Sequence, residues 1–83
     1  MTLEEDFNKA VDHTKMLSQR PSNEVLLKLY ALYKQATKGD NEGEKPAEFD
    51  FKAIAKFNAW NSLKGKTTEA AMQEYIDLVR SLD

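Results

Sequence analysis

Pro21, the polar loop from Asp40 to Glu48 and Gly65 divide the 83-residue chain into four segments. Within each segment the apolar residues recur at three- and four-residue steps, which puts them on one face of a helix. Leu3, Phe7, Ala10, Val11, Thr14 and Leu17 mark the first face. Glu4, Glu5 and Asp6 suit the partial positive charge of its N-terminus. Pro21 disfavours helical geometry at Arg20, so the first helix is expected to reach this break, with Ser22 capping the next. Val25, Leu26, Leu29, Tyr30, Tyr33 and Ala36 make the second face, closed by Lys38 and Gly39. Asp50 is expected to cap a third helix carrying Phe51, Ile54, Ala55, Phe57, Trp60 and Leu63, which Lys64-Gly65-Lys66 closes. Thr67 or Thr68 caps a fourth, with Met72, Tyr75, Ile76, Val79 and Leu82 in helical register. Nothing reads as a strand. The expected fold is an all-α, four-helix domain spanning residues 1–83. The order of the helices in space is left open by the pattern.

Several chemistries are excluded by what the chain lacks. With no cysteine there is neither a disulfide framework nor a thiolate metal site. His13 is the single histidine. It has no identifiable nucleophile partner, and Ser18, Ser22, Ser62 and Ser81 sit in no catalytic motif, so no catalytic residue is assigned. Asp40, Glu42, Glu44, Glu48 and Asp50 lack calcium-loop spacing and are interrupted by Lys45 and Pro46. No metal or cofactor is expected. No apolar run approaches the roughly 18 residues of a membrane helix, and the N-terminus has no secretory pattern. A soluble monomer without stable membrane insertion is the expectation.

The net charge of −2 argues against nucleic-acid binding. Its distribution says more. Residues 28–39 and 51–66 hold Lys28, Lys34, Lys38, Lys52, Lys56, Lys64 and Lys66 without one acid, although the chain carries 14 Asp and Glu. Tyr30, Tyr33, Lys34, Thr37 and Lys38 share part of one helical face, and Lys52 and Lys56 share another. If those faces meet, ammonium groups converge beside tyrosines. Lysines give charge-assisted hydrogen bonds to phosphate, and a tyrosine ring offers a stacking surface for a purine. The competing reading is chance clustering on solvated faces, with Tyr30 and Tyr33 as ordinary core aromatics.

Tyr30-Ala31-Leu32-Tyr33-Lys34-Gln35-Ala36-Thr37-Lys38-Gly39-Asp40 resembles the signature of the acyl-CoA-binding protein family. The resemblance continues through Asp50-Phe51-Lys52, Ala55-Lys56-Phe57-Asn58-Ala59-Trp60-Asn61, Leu63-Lys64-Gly65, Ala70-Ala71-Met72 and Tyr75-Ile76. It covers nearly the whole chain, including the Phe7 start and the Pro21 turn. Phe57 stands where the family commonly has tryptophan. The chain ends at Leu82-Asp83 without the lysine-rich tail of many free-standing members, though Met1 suits a complete protein.

The resemblance implies a non-catalytic carrier of long-chain fatty acyl-CoA, cytoplasmic, or organellar if the chain is a domain of a longer protein. Tyr30, Lys34 and Lys56 match the positions that hold the 3′-phosphate of coenzyme A, and Tyr33 the position that packs the adenine. Ala31 and Leu32 belong to the same wall. Lys15, Lys52 and Tyr75 match positions along the ligand path, and Phe7, Val11, Leu26 and Leu27 are candidates for the acyl groove. Two alternatives remain: a helical protein-interaction module with the same fold, and the acyl-CoA-binding domain of a fused enzyme such as an enoyl-CoA isomerase.

Overall fold

The computed structural model describes residues 2–82, so Met1 and Asp83 lie outside it. It contains four helices, α1 (Leu3–Thr14), α2 (Asn23–Lys38), α3 (Phe51–Asn61) and α4 (Thr68–Ser81), and no strand among the described residues. Each helix begins at a side-chain cap. Thr2, Ser22, Asp50 and Thr67 accept hydrogen bonds from the backbone N–H groups of Glu5, Val25, Ala53 and Ala70, respectively. Each such bond stabilises its helix by about 1 kcal/mol. Of the two threonines available before α4, Thr67 is the cap and Thr68 the first helical residue.

The first helix is shorter than its apolar face suggests. It stops at Thr14, and the Lys15 and Met16 N–H groups donate to Asp12 and His13, tightening the last turn. The Thr14 hydroxyl donates to the Val11 carbonyl at 2.6 Å, a local bond that competes with helix continuation. Leu17 therefore lies beyond the helix. At the other end of α2, Gly39 takes φ 79°, which a residue with a Cβ rarely adopts.

α4 packs on both α1 and α2, and α2 carries α3 on another side. The core is made where α1, α2 and α4 meet, by Phe7, Leu29, Leu32, Ala36, Ala71, Tyr75, Ile76 and Val79. The α2 residues Leu29, Leu32 and Ala36 fall at three- and four-residue spacing and face this core, which leaves Tyr30 and Lys34 on a different strip of the same helix. No residue of α3 is fully buried. The fold is thus a three-helix core with a fourth helix leaning on α2, and a cleft is left between α2 and α3.

Candidate functional site

Tyr30 stands at the centre of the α2–α3 interface. Lys34, one turn further along α2, places its Nζ 5.8 Å from the Tyr30 ring centroid, and Lys56 of α3 places its Nζ 5.4 Å from the same ring. The Lys34 ammonium is also 5.7 Å from the Trp60 ring. Cation–π contacts of this kind contribute about 0.5–1 kcal/mol each near a surface, enough to bias the two long side chains toward one place. Among the described residues neither ammonium forms an ion pair. Two positive charges without an ion-pair partner flank this half-buried aromatic ring, an arrangement whose charge suits a compact anion.

A cleft of about 440 Å³ opens beside this cluster between α2 and α3. Leu26, Leu27, Ala55 and Phe51 give it apolar walls, and Arg20, Lys52 and Lys56 rim it with positive charge. Phe51 is 80% exposed, an unusual position for a large apolar side chain unless something covers it. On the other side of Tyr30 and Lys56 lies a smaller cleft of about 290 Å³, framed by Asn41 and Pro46 of the long loop and by Phe57 and Trp60. Phe57 is half-buried there.

A second aromatic cluster joins the helices on the other side of α2. Phe7 stacks on Tyr33 with centroids 6.0 Å apart and meets Tyr75 edge-on at 5.1 Å. Tyr33 is 40% exposed, so one part of its ring faces outward. Tyr75 is buried, and the cost of bringing its charged form out of water pushes its phenol above the ordinary value near 10. The Thr14 hydroxyl offsets this in part, and the neighbouring Tyr33 adds to it.

The sequence-predicted residues therefore divide. Tyr30, Lys34, Lys52, Lys56, Leu26 and Leu27 come together around the α2–α3 cleft. Phe7, Tyr33 and Tyr75 form the aromatic cluster, and Val11 packs against the core beside them. Lys15 is exposed at the C-terminal cap of α1. Ala31 and Leu32 are 2% and 1% exposed and belong to the helix-packing surfaces of α2. Arg20 and Phe51 are cleft residues that the pattern gave no reason to choose. Arg20 sits in the break between helices, where periodicity carries no information, and Phe51 reads as one more packing residue.

A polar knot closes the far end of the interface. Asp40 Oδ1 accepts from the Gln35 side chain and from the Gly65 backbone, both at 2.8 Å. Gln35 Nε2 also donates to the Lys66 carbonyl at 2.8 Å, and Trp60 Nε1 donates to the Gly39 carbonyl at 2.9 Å. The bonds from Gly65 and Gln35, with a smaller contribution from the charge of Lys64, hold the Asp40 carboxyl below its ordinary value near 3.8.

The sequence profile described as "Acyl CoA binding protein" matches residues 4–79. The chain is 53% identical over 78 residues to the "Acyl-CoA-binding protein homolog" of Drosophila melanogaster, covering 94% of this chain and 91% of that protein. It is 51% identical over 79 residues to "Enoyl-CoA delta isomerase 2" of Rattus norvegicus, where it covers 95% of this chain but 20% of that protein. Its fold superposes on the crystal structure of Oryza sativa Acyl-CoA-Binding Protein 2 with a TM-score of 0.93 at 41% identity, over 98% of this chain and 90% of that one. The profile match and the two near-full-length likenesses agree with the geometry: this chain belongs to the acyl-CoA-binding protein family.

Proposed function

We propose that the chain binds long-chain fatty acyl-CoA esters reversibly, without covalent change, and so buffers and carries them, as a monomer in the cytoplasm. The observation that carries this reading is the pair of unneutralised ammonium groups, Lys34 and Lys56, around the Tyr30 ring at the edge of an apolar cleft. Acyl-CoA has the matching form, a phosphorylated adenosine at one end and a hydrocarbon chain at the other. In this reading Tyr30, Lys34 and Lys56 hold the 3′-phosphate, and the outward part of Tyr33 packs the adenine. Leu26, Leu27 and Phe51 cover the acyl chain. Lys52 and Arg20 at the rim suit the remaining phosphates. Family membership supports the ligand class.

Native mass spectrometry of the expressed protein tests the ligand class directly. A co-purified mass equal to a long-chain acyl-CoA supports the proposal, and a protein that neither carries nor takes up palmitoyl-CoA overturns it. The phosphate assignment has a separate test. Lys34→Ala removes charge-assisted hydrogen bonds of about 1.5–3 kcal/mol each, so palmitoyl-CoA should bind about ten- to a hundredfold more weakly by calorimetry. Thermal stability should change little, because Lys34 anchors no buried contact. Wild-type affinity in the variant would remove Lys34 from the site.

A further inference from the structure

α3 is the helix least secured by burial, yet it supplies half of the charge at the site. None of its residues is fully buried, and of the other helices it packs on α2 alone. Its register on α2 must still be set closely, since Lys34 and Lys56 reach one Tyr30 ring from two different helices. The contacts able to set that register lie at the C-terminal end of α3. Trp60, one turn after Lys56, donates to the Gly39 carbonyl. The turn that follows α3 is tied through Gly65 to Asp40 and through the Lys66 carbonyl to Gln35. Gln35 is wholly buried in α2 and follows Lys34 directly in the chain. Its amide donates to both Asp40 and Lys66, so a single buried group joins the end of α2 to the turn between α3 and α4.

We propose that Asp40 and Gln35 are positioning residues for the phosphate cluster, the latch between the end of α2 and the turn that follows α3 setting the separation of Lys34 and Lys56. The proposal rests on the reading of Tyr30, Lys34 and Lys56 as the phosphate site. It carries an unexpected sign. A carboxylate near a phosphate site acts against binding through its charge alone, so its removal ought to tighten binding. A latch predicts the reverse.

The test is calorimetry on the full chain with two probes, palmitoyl-CoA and 3′-dephospho-palmitoyl-CoA. Asp40 is exposed, so Asp40→Ala removes the acceptor without opening a core cavity. It should bind palmitoyl-CoA about tenfold more weakly, the equivalent of one misaligned charge-assisted hydrogen bond, and bind the dephospho probe as wild type does. Asp40→Asn should restore near-wild-type binding, because the amide oxygen can still accept from Gly65 and Gln35 while the charge is gone. In a Lys56→Ala background, Asp40→Ala should cause no further loss, as expected of residues acting as one unit. Equal losses for both probes, tighter binding in both Asp40 variants, or full additivity with Lys56→Ala would each overturn the latch. A wild type that distinguishes the probes while Asp40→Ala keeps that distinction defeats the latch alone. A wild type that binds both probes equally defeats the phosphate assignment beneath it.

Discussion

Free coenzyme A is expected to bind this protein orders of magnitude more weakly than palmitoyl-CoA, with affinity rising steeply along the acyl series until the cleft is full. Each methylene moved from water into an apolar environment contributes about 0.8 kcal/mol. Two carbons are therefore worth up to about tenfold in affinity. A fully covered sixteen-carbon chain has a ceiling on the order of 10 kcal/mol before the cost of ordering chain and protein. The charged cluster contributes equally to free and acylated coenzyme, so it cannot separate them. What it separates is acyl-CoA from free fatty acid. The apolar walls at Leu26, Leu27, Ala55 and Phe51 are the part of the molecule able to respond to chain length. Calorimetry across eight-, twelve- and sixteen-carbon esters should show this rise, with a heat-capacity change that becomes more negative as more apolar surface is buried. Equal affinity for free coenzyme A and palmitoyl-CoA would sink the acyl-groove assignment.

The largest expected loss of stability from a single substitution on α2 comes from Leu32→Ala. Leu32 is 1% exposed and sits in the core with Phe7, Leu29, Tyr75 and Ile76. Truncating such a side chain costs about 2–5 kcal/mol, the lost transfer energy plus the cavity left behind. A domain of this size has a total stability of roughly 4–12 kcal/mol, so the variant sacrifices a large share of it. The thermal midpoint should fall by about 10 °C or more. Below that midpoint the folded fraction should bind palmitoyl-CoA within a few-fold of wild type, because the side chain points into the helix packing and not into the cleft. Urea unfolding and ligand titration of the same variant separate the two effects. Wild-type stability combined with lost binding would put Leu32 on the ligand surface instead.

Leu32 and Tyr30 show why a linear motif does not sort its residues by face. Both lie in the same signature stretch, two residues apart, and a linear motif marks them alike. Two residues along a helix is a rotation of about 200°, so they occupy nearly opposite faces. Which face meets the core and which meets α3 depends on where the other helices dock. Gln35 is a similar case. It reads as a polar member of the motif, yet it is wholly buried because its amide finds two acceptors contributed from elsewhere, Asp40 and the Lys66 carbonyl. Periodicity has no term for such a partner. The end of α1 differs from its apolar pattern for the opposite reason. Its apolar spacing runs on to Leu17, but the last turn closes at Thr14, with the Lys15 and Met16 N–H groups donating to the Asp12 and His13 carbonyls.

The number and type of the elements, the Ser22 and Asp50 caps and the break at Pro21 are legible in the amino-acid sequence alone. These properties are local: helical periodicity, capping oxygens and glycine or proline punctuation act within a few residues. The docking of the helices on one another is what makes α2 the one helix that α3 packs on, brings Lys34 and Lys56 to the Tyr30 ring, and lets Asp40 tie the end of α2 to the turn after α3. Those are contacts between residues tens of positions apart. They follow from which apolar faces pack best against one another, a choice made by the core as a whole and written in no single segment.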